Sequence, residues 1–520
     1  MQFTVDWGDG SPAESYTGSG DITPIYHEYD DYGEYSVNIT ATTGDCHFAG
    51  FICNNELMTY FDISSCAELV YLDCSSNNLG YLDLNNNTKL KHLKCDDTNI
   101  NSLNLNNNTE LEHLECQNTN INSLNLSNCT ELKHLECHNN NINPLNLSNN
   151  TVLEYLNCNN NLLTALNLNS NTVLIHLECS NMVLHSLDLS SNAELKYLDC
   201  SGIMISNGLD LNNNSKLEYL DCSGIMLYNL DLSSNTLLEY LDCSVTALNN
   251  LDLSNNTALK YLYCWNLSYL NNLDLNNNIA LEYLNCALCP ITFLDLSHNT
   301  VLQELRCNNN HLNSLDLNNN VLLEYLDCSN NHFQLSDLFT FSKINCYKLF
   351  GTQTLTSQTV YVEDILFSEE SEFDGIFTDY IVIKNDLLPA PEEDYTITDG
   401  KIIFHKIGNY TVTMTNEGII SDDDYATEVV IGLAVGTNSL SETFKSNIQA
   451  YPNPTSGELR VRNYDLQPIA YDLQLFNIMG RIQDVQWIIV HDEWQTDISH
   501  LKSGVYFLRI NNEVIRILKK

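Results

Sequence analysis

Rings, carboxylates and thiols recur at fixed positions along this chain and carry most of its chemical capacity. Cysteines stand at 53, 74, 95, 116, 137, 158, 179, 200, 222, 243, 264, 286, 307 and 328, a step of 21 residues that stretches to 22 before Cys222 and Cys286. Three residues before the cysteine come Tyr71, His92, His113, His134, Tyr155, His176, Tyr197, Tyr219, Tyr240, Tyr261, Tyr283, Glu304 and Tyr325. One residue before it come Asp73, Glu115, Glu136, Glu178, Asp199, Asp221, Asp242 and Asp327, interrupted by Lys94 and Arg306. Exposed tyrosine offers a large contact area at low entropy cost, and histidine changes charge near neutral pH. Both are tools of recognition. Reaction chemistry has no comparable signature: there is no GxSxG, HExxH or P-loop, and carboxylates spread along a flat face enclose no acid–base pair. No residue is assigned as catalytic, and the chain is read as not an enzyme.

The elements that position these residues follow from the period. Around each cysteine the pattern is LxxLxCxxxx[IL]xxLxLxxN, as in Leu111 to Cys129. Alternate residues of LxC and LxL point to one side of an extended segment. One turn of chain cannot bury its own leucine face, so successive turns must stack and share a core. A 21-residue period with this spacing, repeated fourteen times, resembles the leucine-rich-repeat family. The expected fold class is mainly β: a leucine-rich-repeat solenoid of about 14 coils, with a parallel sheet along each long side, flanked by Ig-like β-sandwich domains. With strands ~4.8 Å apart the rod would be roughly 65 Å long. After LxL stands a column of Asn87, Asn108, Cys129, Asn150, Asn171, Asn192, Asn214, Asn235, Asn256, Asn278, Asn299 and Asn320. Inward asparagines there would satisfy backbone groups at the turn and form a ladder.

The thiols read as core. Neighbouring column cysteines would have parallel Cβ vectors, which opposes disulfide formation, and Cys packs as a small hydrophobe. Cys286 and Cys289 form one CxxC with no second pair, so neither a metal nor a cofactor is assigned. Cys46 and Cys346 flank the array and are expected to cap it or pair locally. In the middle position of LxL, Asp83, Asp188, Asp210, Asp231, Asp252, Asp274, Asp295 and Asp316 form an acidic column. Bonding to local turn amides is the favoured role there, with cation bridging as the alternative.

By period-2 alternation the ring column faces away from the core, beside the carboxylates. Cross-strand aromatic pairs stabilise any sheet, by about 0.2–1 kcal/mol each, so one ring proves little. A stripe of twelve rings in thirteen coils favours a binding role. The candidate partner-binding residues are Tyr155, His176, Tyr197, Tyr219, Tyr240, Tyr261, Tyr283, Tyr325, Glu178, Asp199, Asp221 and Asp242.

Flanking segments set the context. Trp7 to Gly10 (WGDG), His27-Glu28-Tyr29 and Gly33 to Val37 resemble the PKD domain, an Ig-like sandwich of extracellular proteins, without its first strands. Met1 is followed by no basic and apolar leader, so further sequence before it is expected. Residues 341–443 lose the Asn/Leu period and read as a β-sandwich. Tyr451 to Gly457 (YPNPTSG), Leu475 to Ile482 (LFNIMGRI) and Asp497 to Ile510 resemble the type A C-terminal sorting domain of the type IX secretion system of Bacteroidota, with a hairpin at Asn511-Asn512. That resemblance implies handling by the type IX machinery through 444–520 and a secreted or outer-membrane cell-surface location. The domain order is then 1–43 partial PKD-like sandwich, 44–340 solenoid, 341–443 sandwich and 444–520 sorting domain.

With 22 Lys+Arg against 67 Asp+Glu the formal charge is −45, which excludes nucleic acid and anionic lipid as ordinary partners. No apolar run is long enough to span a membrane. The expected function is a secreted or cell-surface interaction protein whose partner is a protein or glycan on a cell surface or in the extracellular matrix. The alternative is an accessory binding region of a larger secreted hydrolase whose catalytic domain precedes Met1.

Overall fold

The structure is a computed structural model that describes residues 2–18, 24–43, 47–205, 208–385, 388–422, 427–437, 448–451, 457–463, 473–477, 481–490, 493–510 and 513–520. They fall into two compact units, Met1–Val435 and Gly436–Lys520.

In the first unit fifteen parallel strands form one sheet, ordered as in the chain from Gly50–Ile52 to Tyr347–Leu349. From Gly50–Ile52 to Tyr325–Asp327 each strand is the three residues that precede a column cysteine, while the last precedes Phe350, and the coils stack in register: Tyr197 lies opposite Tyr219 and Asp199 opposite Asp221. From Tyr71–Asp73 to Tyr325–Asp327 the central leucine of each strand and the cysteine after it point inward and are fully buried, as Leu198, Cys200, Leu220 and Cys222 are. Two residues past the cysteine the chain reverses through positive φ. Asn118, Asn139, Asn160 and Asn181 sit there at 52–54°, and Gly202 and Gly224 at 65° and 68°, residue types that tolerate the left-handed region.

Every described cysteine is a free thiol. The inner ones donate weakly to the next coil, as Cys200 Sγ does to the Asp221 carbonyl at 3.5 Å. Burial pushes the Cys158 thiol up to about 12, so thiolate chemistry is suppressed at neutral pH. Cys346 is half-buried and unbonded to another cysteine; Cys46 lies outside the described residues.

The opposite long side departs from expectation. No second sheet forms; among the described residues the LxL segments make only two isolated bridges, Leu103 with Leu124 and Leu124 with Leu145. The cause lies in the polar residues that follow. Asn192 Nδ2 donates to the carbonyls of Leu168 at 3.2 Å and Asn171 at 2.8 Å in the preceding coil, and the chain turns at once through Leu195 N to Asn192 O. Side chains thus occupy carbonyls that a strand would have used. The same pair of bonds recurs at Asn108, Asn150, Asn171, Asn214, Asn235, Asn256, Asn278, Asn299 and Asn320. The ladder expected from sequence is present, and Cys129 stands in it with a single 3.8 Å contact to Leu105 O.

Helix Leu335–Ser342 buries Leu335, Leu338 and Phe341 over the last coils. The apolar core continues without interruption into the next region. There a five-stranded sheet orders Thr352–Tyr361, Glu428–Gly436, Gly408–Thr415, Asp379–Lys384 and Leu388–Pro389, beside a three-stranded sheet of Ile365–Leu366, Lys401–Phe404 and Tyr395–Thr398. At the other end, Gln2–Asp6 pairs antiparallel with Glu14–Thr17 and Asn38–Ala41.

The second unit has two antiparallel sheets around Leu459, Val461, Leu475, Ile498, Tyr506, Leu508 and Ile517. Strands Gly504–Ile510 and Glu513–Lys519 pair antiparallel, while Asn511-Asn512 between them, and most of the YPNPTSG block, lie outside the described residues.

Candidate functional site: the outward face of the solenoid sheet

In-register strands bring one outward residue per coil into line, and here the line is aromatic. From His113 to Tyr240 seven rings stack in unbroken succession: His113, His134, Tyr155, His176, Tyr197, Tyr219 and Tyr240, with centroids 4.0–4.3 Å apart and planes within 16° of parallel. That spacing is shorter than the ~4.8 Å between strands, so the rings lean into one another. Their faces are spent on each other, and what reaches solvent is a row of edges and hydroxyls. Burial raises the phenols of Tyr155, Tyr219 and Tyr240, the last to about 12. They therefore stay protonated and able to donate.

Past Tyr240 the column changes. Tyr261 tilts away at 6.3 Å and is 40 % exposed. Its place is taken by Tyr263, two residues on, which contacts Tyr240 at 5.4 Å and stacks on Tyr283 at 4.6 Å. Glu304 ends this stretch. Tyr325 belongs to a separate group, beneath the Arg306 guanidinium at 4.4 Å and beside Tyr347 at 5.6 Å. So Tyr155, His176, Tyr197, Tyr219 and Tyr240 form one surface, Tyr283 joins through Tyr263, and Tyr261 and Tyr325 stand apart. Sequence reasoning passed over Tyr263 and Tyr347. The first was visible as a second outward ring in Tyr261-Leu262-Tyr263; the second lay past the last column cysteine and carried no repeat signal.

Carboxylates line the same stretch. Glu178 accepts from His176 Nε2 at 2.8 Å, Tyr155 Oη at 3.2 Å, and the Asn157 and Asn159 amides at 3.0 Å each. The His176 bond is the largest cause holding its carboxyl below the usual range. Asp199, Asp221 and Asp242 each accept the backbone amide two residues on, from Ser201, Ser223 and Ser244 at 2.9–3.0 Å. Burial raises Asp221 and Asp242, and neighbouring aspartates add to the rise. Between Tyr155 and Ser244 no Lys or Arg occupies the ring column, the carboxylate column or the position just after each column cysteine, so four acidic groups face solvent there without an opposing strong cation. The amino-terminal coils differ: Lys94 Nζ lies 2.8 Å from Glu115, and His113 and His134 pair with Glu115 and Glu136.

The aspartate column of the LxL side is local structure. Asp188, Asp210, Asp231, Asp252, Asp274, Asp295 and Asp316 each accept the amide two residues on at 2.9–3.0 Å, the turn role favoured from sequence. A surface hollow lies there too, lined by Asp188, Asp210 and Asp231. Aspartates on both sides accept the amide two residues on, but the ring stack runs along the LxC side alone, so the ring face is the better recognition candidate.

Residues 449–520 match the family model described as a secretion system C-terminal sorting domain. Among solved structures, the functional domain of InlJ from Listeria monocytogenes, described as including a cysteine ladder, is 29% identical over 75% of this chain and 86% of its own, with a TM-score of 0.66. A leucine-rich-repeat protein of Leptospira interrogans is 19% identical over 56% of this chain and 82% of its own, with a TM-score of 0.53, a likeness of fold alone. No curated protein sequence matches. The solenoid is thus a leucine-rich-repeat fold, and the chain carries a type IX sorting domain that directs it to the cell surface or beyond. No helix among the described residues is long and apolar enough to cross a membrane.

Proposed function

We propose that this chain is a non-enzymatic interaction protein that, once exported, holds a protein or glycan partner against the sheet face between Tyr155 and Asp242. One observation carries the reading: an unbroken ring stack runs beside four carboxylates that have no lysine or arginine to answer them. Such a face offers tyrosine hydroxyls as donors and carboxylates as acceptors over about five coils. It fits a partner rich in hydroxyls or in cationic side chains. The pre-stacked rings lose little freedom on binding, which favours affinity. Likeness to the InlJ functional domain supports an interaction role over a catalytic one.

The amino-terminal segment supports an adhesive, extracellular setting. Trp7 stacks on His27 at 4.7 Å, His27 Nε2 meets Asp9 at 2.7 Å, and Tyr29 Oη donates to Trp7 O at 3.1 Å. The residues that resemble a PKD domain thus form one packed cluster, and with the sorting tail they favour a Bacteroidota surface protein.

The test is an array of glycans and extracellular-matrix proteins probed with the full chain and with a variant carrying Tyr197→Ser, Tyr219→Ser and Tyr240→Ser. Loss of the wild-type signals with an unchanged circular dichroism spectrum is the expected result. Equal binding by both proteins would move the site off this face.

A further inference from the structure

We propose that the sheet face at the coils of Cys95, Cys116 and Cys137 is a binding site for a divalent transition metal of the zinc class, held by Nε2 of His113, Nε2 of His134 and Oε1 of Glu115. The site lies outside the surface assigned above to the partner and stands independently of that assignment.

Two identical His-Leu-Glu strands lie side by side, with His113 opposite His134 and Glu115 opposite Glu136. The imidazoles stack at 4.1 Å and 10°, which brings both Nε2 atoms to one edge beside the glutamates. All three donor atoms lie within 4.8 Å of one another, and among the described residues no other group of His, Cys, Asp and Glu does so. A tetrahedral zinc with ~2.1 Å bonds needs donors ~3.4 Å apart, a closure of roughly 1 Å for half-exposed side chains. Two neutral imidazoles with one carboxylate form a donor set suited to zinc, with the fourth position open to water or to a donor from another molecule.

The hydrogen bonds already present prefigure the metal. His113 Nε2 lies 2.6 Å from Glu115 Oε1; zinc would replace the proton between them, leaving both rings neutral and releasing any proton they carried. A separate observation marks the same place. On this sheet face the buried polar atoms without a partner are Asp96 Oδ1, Gln117 Oε1 and His138 Nδ1, which occupy the next outward column of the same three coils. Three buried polar atoms without a hydrogen-bond partner thus lie in the column beside the place where a cation is proposed. Lys94 Nζ, 2.8 Å from Glu115 Oε1, is the competing cation that zinc must displace. The folded core keeps thiols out of the competition, because the column cysteines here are fully buried.

The molecule contains its own control. His176 and Glu178 repeat the motif at 2.8 Å, but Tyr155 and Tyr197 flank His176, so no second imidazole adjoins it. Calorimetric titration of the full reduced chain with zinc chloride at pH 7.5 should show about one strong site per chain. His113→Tyr and His134→Tyr place in the column the ring its neighbours already carry, so the stack survives while a ligand is lost. Loss of a first ligand should weaken zinc by about 100-fold or more, given that outer-shell losses alone cost 10–100-fold. His176→Tyr should leave the affinity unchanged, and Lys94→Gln should tighten it. Cobalt in place of zinc should give d–d bands without thiolate charge transfer. Wild-type affinity in the His113→Tyr, His134→Tyr double variant, or a thiolate band in the cobalt spectrum, would overturn the site.

Discussion

The two long sides of the solenoid are spelled almost alike, LxC and LxL, yet one becomes a fifteen-stranded sheet and the other a column of turns. On the LxC side the residue between Leu and Cys gives its carbonyl to a backbone amide of the preceding coil, as Asp221 O receives Cys200 N at 2.9 Å. On the LxL side the carbonyl of Leu168 receives Asn192 Nδ2 from the next coil at 3.2 Å and the Asn171 amide of its own turn at 2.9 Å. The lesson is that apolar spacing decides which residues are buried, while the next polar residue decides where backbone hydrogen bonds go. It also separates the labour of the two sides. Where backbone pairs with backbone, the in-register strands line outward rings into a stack; where side chains hold the backbone no such stack forms, although outward aspartates bond turn amides on both sides.

If that division is right, the apolar contribution should be equal on both sides. Leu198 under the sheet and Leu189 under the ladder are both essentially without exposure. Leu198→Ala and Leu189→Ala should each cost about 3 kcal/mol, read as similar shifts of the urea midpoint. A much smaller loss at Leu189 would mean the ladder side is loosely packed and the comparison fails.

The polar contribution should fall on one side only. Asn192→Ala removes two hydrogen bonds, one to each of the buried carbonyls Leu168 O and Asn171 O, which keep only their turn amides Asn171 N and Leu174 N, and should cost about 2 kcal/mol. Asn192→Cys, which copies position 129, should cost less, since a thiol keeps one weak donor. Amide exchange in coils adjacent to residue 192 is the more local readout, because repeat arrays open in parts.

How much of this was legible follows from the same distinction. Burial was readable because it depends on period alone: the cysteine column, the inward leucines and the asparagine ladder lie where alternation puts them. Pairing was not. Nothing in Leu187-Asp188-Leu189 says that it fails to become a strand; that depends on competition between Asn192 and a neighbouring backbone. The ring column was placed correctly as outward, but its break at Tyr261 was hidden, because stacking is cooperative and Tyr263 wins the position by contact with Tyr240 and Tyr283. The pairing of His113 with His134 and Glu115 required register across strands, which 21-residue spacing implies, and side-chain geometry, which it does not.

The acidic column sharpens the comparison through pH. Asp221 is raised by burial and by Asp242 and Asp199, whereas Asp188 and Asp231 on the other side are lowered by their serine bonds. A carboxyl raised on folding disfavours the charged native state, so its cost is present above the folded value and disappears once pH falls below the unfolded value near 4. Asp221→Asn should therefore stabilise the protein at pH 7, by about 1 kcal/mol after allowance for partial exposure. The gain should vanish near pH 3. Thermal melts of both proteins across that range would show it, and a gain that persisted at pH 3 would assign the effect to packing rather than charge.

The smallest expected effect concerns the turn that follows the sheet. Val245 occupies the left-handed position with φ 56°, where the coils at Asn160, Asn181 and Asn266 carry asparagine at 52–57°. A β-branched residue is strained there, because its Cβ crowds the backbone, while asparagine tolerates the conformation. Val245 is also 42 % exposed, so little apolar burial compensates. Val245→Asn should stabilise the chain by about 0.5 kcal/mol, seen as a small rise in melting temperature. The Ser244 amide bond to Asp242 should persist, because it is set one residue earlier. A loss of stability instead would show that the valine methyls pack usefully along this edge, and that the sheet side depends on its turns more than its backbone pairing suggests.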